Sequence, residues 1–233
     1  MAPIRRYTNW NRRSSDEKEQ QEPYRKYFFI CEGANTETWY FKKIIDIRKK
    51  LNIHPLIDIC LLEKTGEDKD ISYPLKLIDF ANKQKNNPDI AFDQERDRMI
   101  VVFDADIFEK KVDKYEELVS EASKENILGV TNPSFELFLL LHFKDSYETD
   151  IAPHYEEIIK NEKIGNQRFV YKLLLEKSGI NSKKNSSIGD LAENIDVAIE
   201  QEKNLNQNIF DCKGKITCNI GNIIDAIRKD QTL

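Results

Sequence analysis

Two short apolar runs, each stopped by acid, constrain this chain more than any other feature. Lys26-Tyr27-Phe28-Phe29-Ile30-Cys31 is aromatic and β-branched and ends abruptly in Glu32-Gly33. A helical pattern follows, with Thr36 as the expected N-cap and Trp39, Tyr40, Ile44 and Ile45 at helical spacing. The second run, Met99 to Phe103, ends in Asp104-Ala105-Asp106. A buried strand that opens through an acid into a helix places a carboxylate at the carboxyl edge of a sheet, where open α/β sheets bind their ligands. Three carboxylates on two strand ends call for a hard cation, because Mg²⁺ takes oxygen ligands.

The rest of the chain supplies the elements such a sheet needs. Residues 1–23 are polar and mixed in charge and read as a flexible tail, whose arginine pairs Arg5-Arg6 and Arg12-Arg13 could touch a phosphate backbone. From Tyr24 the pattern alternates. Strands are expected at Tyr27 to Cys31, Leu56 to Leu62, Arg98 to Phe103 and Ile127 to Val130, and helices at Thr36 to Leu51, Tyr73 to Lys85 and Val112 to Lys124. Strands alternating with helices of about 10–15 residues imply a parallel sheet covered on both faces. Residues 24–145 therefore form an α/β core, and residues 146–233 a helical region packed on it, with helices at His154 to Asn161, Arg168 to Lys177, Ile188 to Asn204 and Ile220 to Lys229. Ser178 to Ser187, polar and carrying two lysines, reads as a loop.

Composition excludes several classes. At 39% hydrophobic and 33% charged residues the chain suits a globular protein with a solvated surface. No apolar run approaches the roughly 20 residues of a membrane span, and the N-terminus has no apolar signal segment, so a cytoplasmic protein without membrane contact is expected. A net charge of −5 argues against coating nucleic acid by bulk electrostatics, although a bound cation or a basic partner can supply positive charge locally. The four cysteines form no CxxC pair, so zinc is not expected. Neither a Walker loop nor GxGxxG is present.

The candidate chemistry lies in the acids. Asp104 and Asp106, two apart on an extended end, point the same way. Glu32 from another strand end would complete a metal site, or act as general base or acid. Glu37 in the first turn of the following helix could reach the same cation, though an acid there also suits the helix dipole. A metal at such a site would activate an oxygen nucleophile and stabilise a leaving oxyanion at a phosphodiester. Downstream, Asn132-Pro133 reads as a cap and first helical residue for a helix apolar nearly all round. Glu136 is its exception. A buried carboxylate must be paired, by a metal, a metal-bound water or a basic side chain. His142 on the same helix reads as a hydrogen-bonded structural group.

The order Cys31-Glu32-Gly33-Ala34-Asn35-Thr36-Glu37-Thr38-Trp39-Tyr40-Phe41, then Asp104-Ala105-Asp106, then Asn132 to Phe143 resembles the RloB family, which includes AbiLii-type abortive-infection proteins. The resemblance covers Lys26 to Phe143, with a looser echo over Gly214 to Ile227; Phe138 stands where a tryptophan is expected. It implies a Toprim-like (Rossmann-like) sheet related to OLD-type nucleases, with Mg²⁺ or Mn²⁺ held by Asp104 and Asp106 and with Glu32 as the catalytic carboxylate. Glu37 and Glu136 match family positions, and Asn132, Glu136 and His142 are supporting candidates. It further implies a metal-dependent nuclease acting on DNA or RNA, the effector of an anti-phage system with a partner ABC/AAA-type ATPase. The alternative is a non-catalytic metal-binding regulatory or sensor subunit of that ATPase. Strand passage or primer synthesis would need further domains for which the chain has no room. Self-association as a homo-oligomer stays open.

Overall fold

The computed structural model describes residues 4–7, 23–69, 71, 73–105 and 114–230. Within these residues the chain forms a six-stranded sheet flanked by helices. The strands are β1 (Arg5–Arg6), β2 (Arg25–Cys31), β3 (Ile57–Glu63), β4 (Arg98–Asp104), β5 (Ile127–Asn132) and, far downstream, β8 (Thr217–Cys218), in spatial order β1-β3-β2-β4-β5-β8. The four central strands run parallel, and the short edge strands β1 and β8 pair antiparallel. A further two-stranded hairpin, β6 (Lys163–Ile164) with β7 (Gln167–Arg168), stands apart from the sheet. The expected α/β architecture, a largely parallel sheet between helices with a helical C-terminal region, is what the chain adopts.

Strand pleating sorts each run onto two faces. Tyr27, Phe29 and Cys31 of β2 point to one side with Ile100 and Val102 of β4, whereas Phe28 and Ile30 point to the other with Met99, Val101 and Phe103. The first face is covered by α1 (Thr36–Asp46), α4 (Phe135–Leu140), α6 (Phe169–Ser178), α7 (Ile195–Glu202) and α8 (Ile220–Arg228). The second is covered by α2 (Pro74–Lys85) and α3 (Tyr115–Ala122). The helix α5 (Tyr155–Lys160) leads into the hairpin. Burial on both faces explains why the strands read as continuous apolar runs rather than alternating ones.

Register sets what meets at the carboxyl edge. Cys31 lies opposite Val102, and Asp104 opposite Thr131. The Glu32 amide extends the ladder by donating to the Val102 carbonyl at 2.9 Å. The ends of β2, β4 and β5 therefore finish side by side.

Several local expectations are corrected. Thr36 is the first helical residue of α1 and Asn35 its N-cap, because the Thr36 hydroxyl donates to the Ser182 carbonyl at 2.9 Å instead. Asn132 ends β5 rather than capping a helix: its amide donates to the carbonyls of Cys212 and Lys215, both at 2.9 Å. The Asn132–Pro133 bond is cis, and Ser134 caps α4. The span Ile188 to Asn204, expected as one helix, divides into a 3₁₀ segment, Ser186–Asn194, and α7. That segment lies directly on α1, where a Cβ on Gly189 would come 2.5 Å from the Trp39 carbonyl oxygen. Only glycine permits this approach.

Candidate active site

Glu32 follows β2 and is held at both ends of its backbone. Its carbonyl accepts from the Lys64 ammonium at 2.6 Å, and Lys64 also donates to the Ile71 carbonyl. The Glu32 carboxylate turns across the edge, and its Oε2 accepts the Asp104 amide at 3.1 Å. Asp104 in turn accepts the Thr131 hydroxyl on Oδ1 at 2.6 Å. The two residues expected together from sequence are thus joined across adjacent strand ends, backbone amide to carboxylate. Asp106, the third, lies outside the described residues.

Two further acids close on this pair. Glu37, in the first turn of α1, is buried against Gly33, where a Cβ would sit 2.0 Å from Glu37 Oε2. The missing side chain makes the room, and the Gly33 and Glu37 amides hydrogen-bond the carboxylate. Glu136 of α4 is also buried and pairs with the Lys183 ammonium at 2.8 Å, with the Ser182 hydroxyl donating at 3.4 Å. The polar loop after α6 brings Lys183 here because α1 staples it: the Asn35 amide donates to the Lys183 carbonyl at 3.0 Å, beside the Thr36–Ser182 bond. The partner required for Glu136 is therefore a basic side chain.

The electrostatics follow from crowding. Burial, then the negative fields of Glu32, Glu37 and Glu136, push the Asp104 carboxyl well above its ordinary range, and the Thr131 hydrogen bond only partly opposes this. Burial foremost, with Glu136 adding, raises Glu37, against its backbone hydrogen bonds and the Lys183 charge. Burial would lower Lys183, but Glu136 first and then Glu37 and Asp104 outweigh it and hold the ammonium at about 12. The Lys183 ammonium thus answers three carboxylates, Glu136, Glu37 and Asp104.

Such a donor set, all oxygen and short of positive charge, suits a hard divalent cation chemically. Among the described residues no group of three or more His, Cys, Asp or Glu has the spacing of a complete cation site. Glu32 and Asp104 supply two donors, and Asp106 falls outside that comparison. His142 stands apart from the acids: its Nδ1–H donates to the Phe138 carbonyl at 3.0 Å, so Nε2 accepts the Tyr40 hydroxyl at 2.9 Å. His142 and Asn132 are structural in these contacts.

A cleft of about 510 Å³ is lined by Asp104, Ser134 and Glu136 together with Lys183, Lys184, Arg168 and Tyr171. Sequence reasoning assigned no role to Lys183, Thr131 or the hairpin residues. The lysine pair in a polar loop was visible, but nothing local says where that loop lands.

No curated protein and no solved structure matches this chain. The model of the RloB-like protein family matches residues 27–227, which takes in every described carboxylate of the site as well as Lys183. The chain belongs to the RloB-like family.

Proposed function

We propose that this RloB-like protein is a Mg²⁺- or Mn²⁺-dependent nuclease that hydrolyses phosphodiesters in DNA or RNA. The observation that carries the reading is the Glu32–Asp104 pair, hydrogen-bonded across adjacent parallel strand ends, with Asp104 lining a cleft. A cation bound by Glu32, Asp104 and Asp106 would supply an activated water and stabilise the leaving oxyanion. The chain's own groups do the remaining work. Thr131 and the Asp104 amide fix the two carboxylates in orientation. Glu32, half-buried beyond the end of β2, would accept a proton from an attacking water where it does not itself hold the cation. Glu37, its carboxyl raised by burial, lies in the first turn of α1 beside the site and would be the group to return a proton to a leaving oxygen. Lys183 pairs with the buried Glu136 carboxylate beside the site.

Family membership supports an anti-phage, abortive-infection setting, and the resemblance to OLD-type nucleases supports a Toprim-like relationship and control by a partner ABC/AAA-type ATPase. The acidic chain would then draw part of its nucleic-acid surface from that partner. The test is cleavage of end-labelled DNA and RNA in Mn²⁺ by the chain, alone and with the ATPase, together with calorimetric Mn²⁺ binding. Cleavage lost in Glu32→Gln and metal binding lost in Asp104→Asn are expected. Cleavage that survives both substitutions sinks the reading, and defence that survives them in a folded protein favours the sensor alternative.

A further inference from the structure

The cleft beside the carboxylates is lined by two unlike sets of groups. Asp104 and Glu136 are acidic, whereas Arg168, Lys184, Asn166 and Asn181 are cations and amides. Lys183 is already committed to Glu136. Arg168 and Lys184 are not: among the described residues neither has a carboxylate within 4.0 Å, and Arg168 donates only to the Asn161 carbonyl, at 3.1 Å. Both are exposed on segments held in place from below. The β6–β7 hairpin carries Arg168, and Asn161 anchors its base by accepting the Val170 amide on Oδ1 at 3.1 Å. The loop carrying Lys184 is stapled to α1. The half-buried Tyr171 of α6 lines the same cleft.

Fixed cations together with an aromatic ring are the means by which proteins hold single-stranded nucleic acid, phosphates on the cations and a base on the ring. A volume near 510 Å³ lies within the range of small-ligand pockets. It admits a splayed nucleotide but not a duplex, whose bases must leave the stack before an enzyme can reach them in such a pocket. An acidic peptide would meet the Asp104 and Glu136 carboxylates with nothing to offer Tyr171. The geometry points to this cleft as a binding site for a single-stranded polynucleotide, with backbone phosphates on Arg168 and Lys184 and a base stacked on Tyr171. The inference deepens the nuclease reading and rests on it for the reaction, not for the binding.

Fluorescence anisotropy tests it with the full chain in EDTA, where binding is read without cleavage. The probes are a labelled DNA single strand, the same sequence as RNA, and a blunt duplex. Single strands should bind more tightly than the duplex, with strong salt dependence. Arg168→Gln/Lys184→Gln should lower the slope of log affinity against log salt by about 1.4, two phosphate contacts at roughly 0.7 each. Tyr171→Leu should weaken binding roughly ten-fold with little change in that slope, and Tyr171→Phe should restore it. Thermal unfolding checks that each variant is folded. Binding of either single strand that the folded variants weaken upholds the inference, and the ratio of the two affinities assigns the source. Duplex preference, no single-strand binding by the folded protein, or folded variants that bind as the wild type overturn it. Variant-sensitive binding without any Mn²⁺-dependent cleavage upholds the strand site and counts against the nuclease reading alone.

Discussion

His142 should make the fold sensitive to acid well above the carboxylate range. The ring is fully buried, and burial lowers its pKa from 6.5 to about 4 against the carbonyl contacts that favour the cation. With Nδ1–H on the Phe138 carbonyl, Nε2 must accept from Tyr40. A proton on Nε2 would set two donors against each other inside a cluster of Tyr40, Phe135 and Phe138 rings. Between the two pKa values the unfolded chain binds more protons than the folded one, so stability rises with pH there and is lost as pH falls from 6.5 through 4. The full difference is about 3 kcal/mol, of which about 2 kcal/mol is lost by pH 5. The assay is urea unfolding of wild type and His142→Gln from pH 7.5 to pH 5. Glutamine can still donate to Phe138 and accept from Tyr40, but it does not titrate. The wild-type advantage over the variant should shrink by about 2 kcal/mol across that range. A difference that stays constant, or a His142 resonance that titrates near 6.5 in the folded protein, refutes the reasoning.

Gly33→Ala forces the Glu37 carboxylate away from a Cβ that would lie 2.0 Å from Oε2, breaking its bond to the Gly33 amide. A loss of about 1.5–3 kcal/mol is expected, partly recovered by adding Glu37→Ala, and a neutral Gly33→Ala would show that the contact is not there. The raised Asp104 and Glu37 carboxyls make the folded state bind more protons than the unfolded one, so their contribution to stability falls as pH rises through those raised values. Mn²⁺ at ten times its Kd should therefore stabilise the protein by about 1.4 kcal/mol at pH 8 and less at pH 5.5; an equal thermal shift in Asp104→Asn would place the ion elsewhere.

The part of the site carried by strand ends was legible because burial on both faces leaves short unbroken apolar runs, and the first polar residue after each run marks the edge. Glu32 and Asp104 could be read that way. The caps could not. Thr36 and Asn132 have the side chains that cap helices, but each spends its hydrogen bond on a distant backbone carbonyl, of Ser182 in one case and of Cys212 and Lys215 in the other. Glu136 announced that it needed a partner, yet Lys183 lies 47 positions away in a loop whose sequence fixes no landing place. The two-residue strand β8 is too short to leave a periodic signal, and its place beside β5 is set by packing of α8.

The staple between α1 and the Lys183 loop has a temporal consequence. Asn35 and Lys183 are separated by 148 positions, and synthesis at about 5–20 residues per second makes that interval roughly 7–30 s on the ribosome. Once Glu136 is made the nascent chain carries Glu32, Glu37, Asp104 and Glu136, and 47 further positions separate it from the Lys183 ammonium that pairs with Glu136. Pairing of Glu136 is thus tied to synthesis of the last third of the chain, and a protein cut short before Lys183 would keep the Lys64 ammonium at the Glu32 carbonyl but leave the buried Glu136 carboxylate without its partner.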